Sequence, residues 1–306
     1  MVMTGRFEGG MVVAIFGPTG IGKTAVAIAL AERLRAEDED PVAVSADALQ
    51  LYRGLEILTG APTAQERERL EHRLVGTLPL TGRSTAGGFA RRAHEEIDTL
   101  LDQRRRPIVV GGTGLYLRAA LAELQFRPPV PPGVRERRAA QLAEHGAPAL
   151  HAELRQRDPT VAAAIMPTDA QRITRALELL DAGHAPPGAR LWTAALRHPT
   201  LLAGLTMDRA QLAARIDARV DAMVAAGAAR EVQDADAAGA SPSARQALGF
   251  EQLLAGDVEA MKTQTRRYAK RQLTWMRKLP GVTPIDMTGR TPEEAAAEIH
   301  ARLREA

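Results

Sequence analysis

The eight residues Gly17-Pro18-Thr19-Gly20-Ile21-Gly22-Lys23-Thr24 have the spacing of a phosphate-binding loop. Gly17 and Gly22 let the backbone curl so that successive N–H groups face one anion. A helix starting there adds its partial positive charge, and Lys23 adds a full one. Thr24 keeps a hydroxyl for a magnesium ion. Two further strand ends carry polar chemistry, Ser45-Ala46-Asp47 and Gly111-Gly112-Thr113-Gly114. Asp47 either takes part in the chemistry at the loop, holds magnesium, or caps a helix. The second strand end offers a hydroxyl where an ordinary P-loop ATPase carries an Asp for magnesium, so ATP hydrolysis driving motion is not expected. Charge is concentrated late in the chain. Between Glu259 and Asp286 there is no acidic residue, while Lys262, Arg266, Arg267, Lys270, Arg271, Arg277 and Lys278 are all basic. Tyr268 and Trp275 fall in the same stretch, and basic with aromatic residues favour a nucleic acid with unstacked bases. The alternative is a solvated helix with core aromatics. Arg172 with Arg175, and Arg215 with Arg219, lie one helical turn apart and could each reach an anion or face solvent.

These residues need elements to hold them. Residues 12–16, 42–44, 107–110 and 200–207 read as buried strands. The first is followed by a helix through Ala31, and 12–16, helix and 42–44 form a βαβ unit, which predicts parallel neighbours and places Asp47 beside the loop. Thr63 to Glu66 fits a capping box, and Phe89, Ala93, Ile97, Leu100 and Leu101 mark an amphipathic helix. His72 reads as a structural residue, with a ligand role as the alternative. Arg127-Pro128-Pro129-Val130-Pro131-Pro132-Gly133 reads as a stiff linker. Residues 133 to about 182 are helical in period, and Pro186-Pro187-Gly188 breaks the chain again. Residues 209–235 read as one helix with the apolar stripe Leu212, Ile216, Val220 and Met223. Residues 282–285 suit an edge strand, and Thr291-Pro292-Glu293-Glu294 opens a last helix. The expected architecture is α/β, a P-loop NTPase-like parallel sheet with an all-helical insertion. Its parts are 1–124 for the first portion of the core, 125–198 for the insertion, and 199–306 for the rest of the core with the basic helix.

The chain has 306 residues, 45% hydrophobic and 25% charged, with a net charge of +3. That is a soluble globular composition, long enough to bury a sizeable core. No apolar run approaches the ~18 residues of a membrane span, and Met1 to Gly10 lacks the apolar centre of a signal peptide, so a cytoplasmic location is expected. The absence of cysteine excludes disulfides and thiolate metal sites, leaving oxygen and nitrogen groups for catalysis.

With these residues in view, the chain resembles the tRNA dimethylallyltransferases over nearly its whole length. The motifs that carry the likeness are 17–24, Ser-Ala-Asp-Ala-Leu-Gln-Leu-Tyr-Arg-Gly at 45–54, Gly-Gly-Thr-Gly-Leu-Tyr at 111–116 and Asp-Ala-Gln-Arg-Ile-Thr-Arg-Ala-Leu-Glu at 169–178. Gln-Ala-Leu-Gly-Phe-Glu at 246–251 and Tyr-Ala-Lys-Arg-Gln-Leu-Thr-Trp-Met-Arg at 268–277 complete them. The resemblance implies prenyl transfer from dimethylallyl diphosphate to N6 of the adenosine 3′ of the anticodon, with Mg2+ as cofactor and a monomeric protein. It implies that Gly17, Pro18, Thr19, Gly20, Ile21, Gly22, Lys23 and Thr24 hold the donor diphosphate with Arg215 and Arg219, Thr24 also serving the metal. Asp47 would be the general base, with Thr113 and Lys23 acting beside it. The tRNA anticodon stem-loop would meet Asp47, Ala48, Leu49, Gln50, Thr113, Arg135, Gln171, Arg172, Ile173, Thr174, Arg175 and Arg245. It would also meet Lys270, Arg271, Gln272, Leu273, Thr274, Trp275, Met276 and Arg277. Two stretches depart from the family pattern. Glu71-His72-Arg73-Leu74-Val75-Gly76 stands where many relatives read His-His-Leu-Ile-Asp, and Phe250-Glu251 where Tyr-Lys is frequent. Rival readings are a small-molecule kinase, an adenylate isopentenyltransferase acting on free nucleotides, and an RNA-binding protein with a structural nucleotide.

Overall fold

Short apolar runs separated by helices are suited to parallel pairing, because a helical crossover can return the chain to the edge it left. The computed structural model describes residues 10–124, 126, 130–186 and 195–305. In order they form β1 (Val12–Phe16), α1 (Lys23–Arg35), β2 (Pro41–Ser45), α2 (Glu56–Thr59), α3 (Ala64–Arg69), β3 (His72–Arg73), α4 (Ala86–Asp102), β4 (Arg106–Gly111) and α5 (Gly114–Leu121). Three helices follow, α6 (Pro132–Arg157), α7 (Pro159–Ala163) and α8 (Ala170–Asp181). The chain ends with β5 (Thr200–Thr206), α9 (Arg209–Ala225), α10 (Ala228–Ala237), α11 (Phe250–Leu254), α12 (Val258–Met276), β6 (Val282–Asp286) and α13 (Pro292–Glu305).

The strands form one parallel sheet in the order β3-β2-β4-β1-β5-β6. β1 and β2 are therefore not neighbours, contrary to the sequence-based expectation. β4 lies between them, with Val109 registered to Ala14 on one side and Val44 on the other. A crossover fixes the direction of the next strand but not how many places it skips. Phe16 aligns with Gly111 and Ser45 with Val110, so the loops after β1, β2 and β4 still leave from one edge of the sheet.

Alternation along the strands splits the core between two faces. Val13, Ile15, Ala43, Ile108, Ala203 and Leu205 pack with α1 and α13, and all are essentially inaccessible to solvent. On α1 the residues Val26 to Ala31 are all buried, so this helix is covered on more than one side and lacks an amphipathic pattern. α4 and α5 pack on each other through Phe89 and Tyr116, whose rings meet edge to face 5.0 Å apart. Truncating a side chain such as Ile15 or Leu30 to Ala would cost about 2–5 kcal/mol.

Local signals set several boundaries. The Thr63–Glu66 capping box forms at α3, and Thr291 and Glu294 exchange the same pair of hydrogen bonds at α13. The helix expected over 209–235 is instead two. α9 ends at Ala225, Gly227 takes φ 99°, and α10 starts at Ala228. Leu212, Ile216 and Val220 are the buried stripe of α9.

The described chain divides into two compact units, Met1–Glu123 with Ala195–Ala306, and Leu124–Ala194. Among its described residues the regular elements of the second unit are all helices. Leu150, Leu154, Ala162, Ile173, Ala176 and Leu177 form its apolar centre. α6 is kinked at Gly146 and begins at Pro132, where the missing N–H of proline costs nothing. Arg127, Pro128 and Pro129 of the expected linker, and Pro187 and Gly188 of the second break, lie outside the described residues.

Candidate active site

The turn from β1 to α1 leaves a set of donors without acceptors among the described residues. Gly20 and Gly22 take φ values of 81° and 99°, a region that glycine enters without a steric cost. No side chain caps α1, whose first residue is Lys23. The N–H groups of Gly20, Gly22, Lys23 and Thr24 meet no acceptor among the described residues. Orphan donors at a helix N-terminus are an anion site.

The side chains around them are more positive than negative. Lys23 is half-buried, and its ammonium donates to the Pro18 carbonyl at 3.0 Å. Burial first, and Arg219 second, lower its pKa to about 8, with Asp47 pulling the other way. Arg219 comes from α9 and its pKa is also lowered by burial, again opposed by Asp47. Its guanidinium fills the space where a Cβ on Gly60 would sit, so any larger residue at 60 would displace it. Arg215, one turn earlier, comes within 3.3 Å of the Cβ position of Gly22, and Ile216 between them packs on Gly20. Two half-buried cations, Lys23 and Arg219, face one carboxylate and repel each other, and an anion would relieve that repulsion.

Asp47 follows β2 on a turn. Its Oδ1 accepts the N–H of Leu49 at 2.9 Å, and no helix begins there, so it caps a turn and not a helix. Gln50 holds this turn from inside, accepting from the Ser45 hydroxyl at 2.8 Å and donating to the Gly60 carbonyl at 3.1 Å. Opposite lie two phenols. Tyr268 is raised to about 12 by burial and then by Asp47, and Tyr116 to about 12 by burial, Tyr52 and Asp47. The hydroxyls of Tyr268 and Thr113 are 2.7 Å apart. Thr113 sits at the N-cap position of α5 without capping it, so its hydroxyl is committed to the site. A carboxylate, a hydroxyl pair and an anion cradle thus converge at one sheet edge.

α12 closes this edge with one face and presents charge on the other. Met261, Thr265, Ala269, Gln272 and Met276 are buried, while Arg267, Lys270, Arg271, Thr274, Arg277 and Lys278 are exposed. Lys262 pairs with Asp221 at 2.8 Å and Arg266 with Asp217 at 2.5 Å, both on α9. Arg267, Lys270, Arg277 and Lys278 have no ion pair among the described residues, and Arg271 stacks over the Tyr268 ring at 5.5 Å. The outcome is an uncompensated cationic strip next to an aromatic ring.

Residues 50–279 match the family described as IPP transferase. The chain is 41% identical over 282 residues to a tRNA dimethylallyltransferase of Thermobifida fusca, covering 89% of this chain and 88% of the relative. A tRNA dimethylallyltransferase of Kineococcus radiotolerans is 40% identical over 302 residues, with coverage of 92% and 95%. The chain belongs to the IPP transferase family. Among solved structures, the tRNA isopentenylpyrophosphate transferase of Bacillus halodurans superposes with a TM-score of 0.70 at 32% identity, over 97% of this chain and 96% of that one. A eukaryotic dimethylallyltransferase described as acting on tRNA gives a TM-score of 0.73 at 25% identity, over 91% of this chain and 74% of that one.

In this member of the IPP transferase family, the side chains expected to meet nucleic acid sort by burial. Lys270, Arg271, Thr274 and Arg277 face outward. Gln272 and Met276 are buried, Leu273 packs against the core, and Trp275 is half-buried, because eight consecutive helical residues cannot share one face. Ala48 and Leu49 are half-buried, and Leu49 packs beside Tyr52 and Leu55. Arg245 is turned inward on its own neighbours. It pairs with Asp236, reaches Glu251 at 3.0 Å and lies 4.9 Å over Phe250. Asp236 and Glu251 together hold it. Within the helical unit, Gln171 and Arg172 are exposed, Arg172 with Asp169 at 3.4 Å. Ile173 is completely buried, and Thr174 and Arg175 are half-buried. Arg175 and Arg135 both turn to Glu178, at 3.0 and 3.9 Å. His72 bonds the Leu70 carbonyl at 2.6 Å, and burial lowers its pKa, a structural setting. Sequence reasoning does not reveal the Tyr268–Thr113 pair. Its only trace there is that Tyr268 falls four residues before Gln272 and beside Ala269, on the inward edge of the helix.

Proposed function

We propose that this chain transfers the dimethylallyl group of dimethylallyl diphosphate to N6 of the adenosine 3′-adjacent to the anticodon of tRNA, giving N6-isopentenyladenosine. The observation that carries the reading is the pairing of an uncapped, doubly cationic anion cradle with a carboxylate across one sheet edge, on a family that the comparisons establish. An allylic diphosphate ionises by breaking its C–O bond, and both electrons go to the leaving oxygen. The orphan N–H groups of the loop, Lys23 and Arg219 stabilise that charge as it develops. N6 of adenine is a poor nucleophile, since its lone pair is delocalised into the ring, and it must lose a proton as it gains carbon. Asp47, next to the cradle, takes that proton. The hydroxyl pair of Thr113 and Tyr268 can donate to or accept from the incoming amine and hold it in line. An adenine inside a stem-loop reaches such a pocket only by leaving its stack, and the outer strip of α12 holds the RNA while it does so.

Magnesium fits the donor chemistry. Among the described residues no cluster of three or more His, Asp or Glu side chains could hold a metal. An ion bound largely by substrate phosphates and water needs none, and the Thr24 hydroxyl is the ligand the loop provides. When bound, such an ion supplies further neutralisation of charge on the diphosphate.

The test is transfer to a synthetic anticodon hairpin by the unaltered chain and by Asp47→Asn. The unaltered chain should form the prenylated nucleoside. The variant should lose about 10²–10⁴-fold in turnover while binding the hairpin within about two-fold. Full turnover in the variant would remove Asp47 from the proton transfer.

A further inference from the structure

Gln272 is only 4% exposed, and its amide joins two segments far apart in the chain. Oε1 accepts the N–H of Thr19 in the phosphate loop at 2.9 Å, and Nε2 donates to the carbonyl of Gly112 at 2.7 Å. The space it uses exists because residue 112 has no side chain. A Cβ there would collide with Nε2 of Gln272 and lie 3.0 Å from the Gly17 carbonyl. Both partners are main-chain atoms, so the amide fixes the path of the backbone and not a neighbour's rotamer. Donor and acceptor are both required. A half-buried Thr19 N–H and a buried Gly112 carbonyl left without partners would each carry a desolvation cost.

We propose that Gln272 is a positioning residue that clamps the phosphate loop at Thr19 against the end of β4, and so sets the donor-site N–H array. With Thr19 tied to Gln272, the amides of Gly20, Gly22, Lys23 and Thr24 remain for the diphosphate. The flanking residues Lys270, Arg271 and Thr274 are exposed on the same two turns of α12. One helix therefore holds the donor loop from its inner edge and offers its outer edge to RNA. This role rests on the diphosphate reading of the loop given above.

The experiment compares the full-length chain with Gln272→Leu and Gln272→Glu, reading KM for dimethylallyl diphosphate, hairpin affinity, melting temperature and binding of inorganic diphosphate. Leu removes both hydrogen bonds, and the expected result is a donor KM raised about ten-fold with hairpin affinity kept within about two-fold. Glu separates the clamp from simple packing. Ionised, it can accept from Thr19 but cannot donate to Gly112. Protonated, it does both, as the amide does. Its donor KM should therefore recover toward that of the unaltered chain as pH is lowered, and a Leu variant should show no such recovery. An unchanged KM in Leu, an equal loss of hairpin and donor affinity, or a Glu variant with no recovery would each overturn the role. If Leu fails to fold, the pH series on Glu decides. If the unaltered chain transfers no prenyl group, the failure belongs to the functional reading, and inorganic diphosphate binding still tests the clamp.

Discussion

An ammonium half-buried beside a guanidinium is held in place against its own hydration, and Lys23 shows the consequence. Its pKa falls from 10.5 to about 8 on folding. The unfolded chain thus binds the extra proton between those values, so stability rises with pH from about 8 to about 10.5, and below pH 8 the full cost is present. That cost is about 3 kcal/mol. Lys23→Met should therefore raise the melting temperature at neutral pH while abolishing transfer, the usual trade of stability against function. In the proposed donor complex the diphosphate restores a counter-charge and lifts the pKa again. Calorimetry in buffers of different ionisation enthalpy should show proton uptake near pH 8.5 that is larger than in the Met variant. Equal uptake in both would mean that Lys23 stays charged without ligand. At this scale the loop was legible from sequence, because strand, glycine turn and helix are contiguous. The fates of Arg245 and Gln272 were not. Their partners are Glu251, Thr19 and Gly112, and the last two lie 253 and 160 residues away.

Elements divide the work by their two faces. α12 has an inner edge built against the phosphate-loop turn and an outer strip of cations with no ion pair among the described residues. Removing Lys270, Arg271 or Arg277 by Ala should weaken hairpin binding and lower the salt slope by about 1 for each phosphate left without its cation. Lys262→Ala should change it by less than about two-fold, since Lys262 is already neutralised by Asp221 and Glu259. A filter-binding series at several salt concentrations measures both, and equal effects of Lys262 and Lys270 would contradict the assignment. The helical period made the outer strip readable in advance. It did not reveal that α9 would neutralise the first turns, nor that Gly227 would break 209–235 into two helices, since both depend on neighbours in space. The order of strands had the same limit. β4 enters between β1 and β2 because its pairing is set by packing on both faces, and spacing along the chain does not encode it.

The two compact units keep their own interiors. That of Leu124–Ala194 includes an ionic network in which Arg138 is bonded to Asp181 at 2.7 and 2.8 Å and to Glu153 at 2.8 Å. Arg157 adds a bond to Asp181 at 2.7 Å. The hydrogen bonds from Arg138 bring Asp181 down to about 2. A carboxylate depressed in the folded state stabilises above its ordinary value near 4, and the benefit is lost as pH falls through about 2. Asp181→Asn should cost about 3 kcal/mol at neutral pH, because it leaves the buried guanidinium short of charge. It should also flatten the acid limb between pH 4 and 2, read by limited proteolysis of the helical unit. A steep acid limb in the variant would show that other groups carry it.

At the level of the whole molecule, no described helix is long and apolar enough to cross a membrane, and the chain joins an anion cradle to a cationic strip in one body. The most direct measurement gives the purified chain dimethylallyl diphosphate, ATP, magnesium and an anticodon hairpin together, and follows both anions. The account predicts a C5 group on N6 of the adenosine after the anticodon, with one diphosphate released per group and ATP unconsumed. ATP consumed in phosphorylating a small metabolite, with the hairpin unmodified, would contradict it.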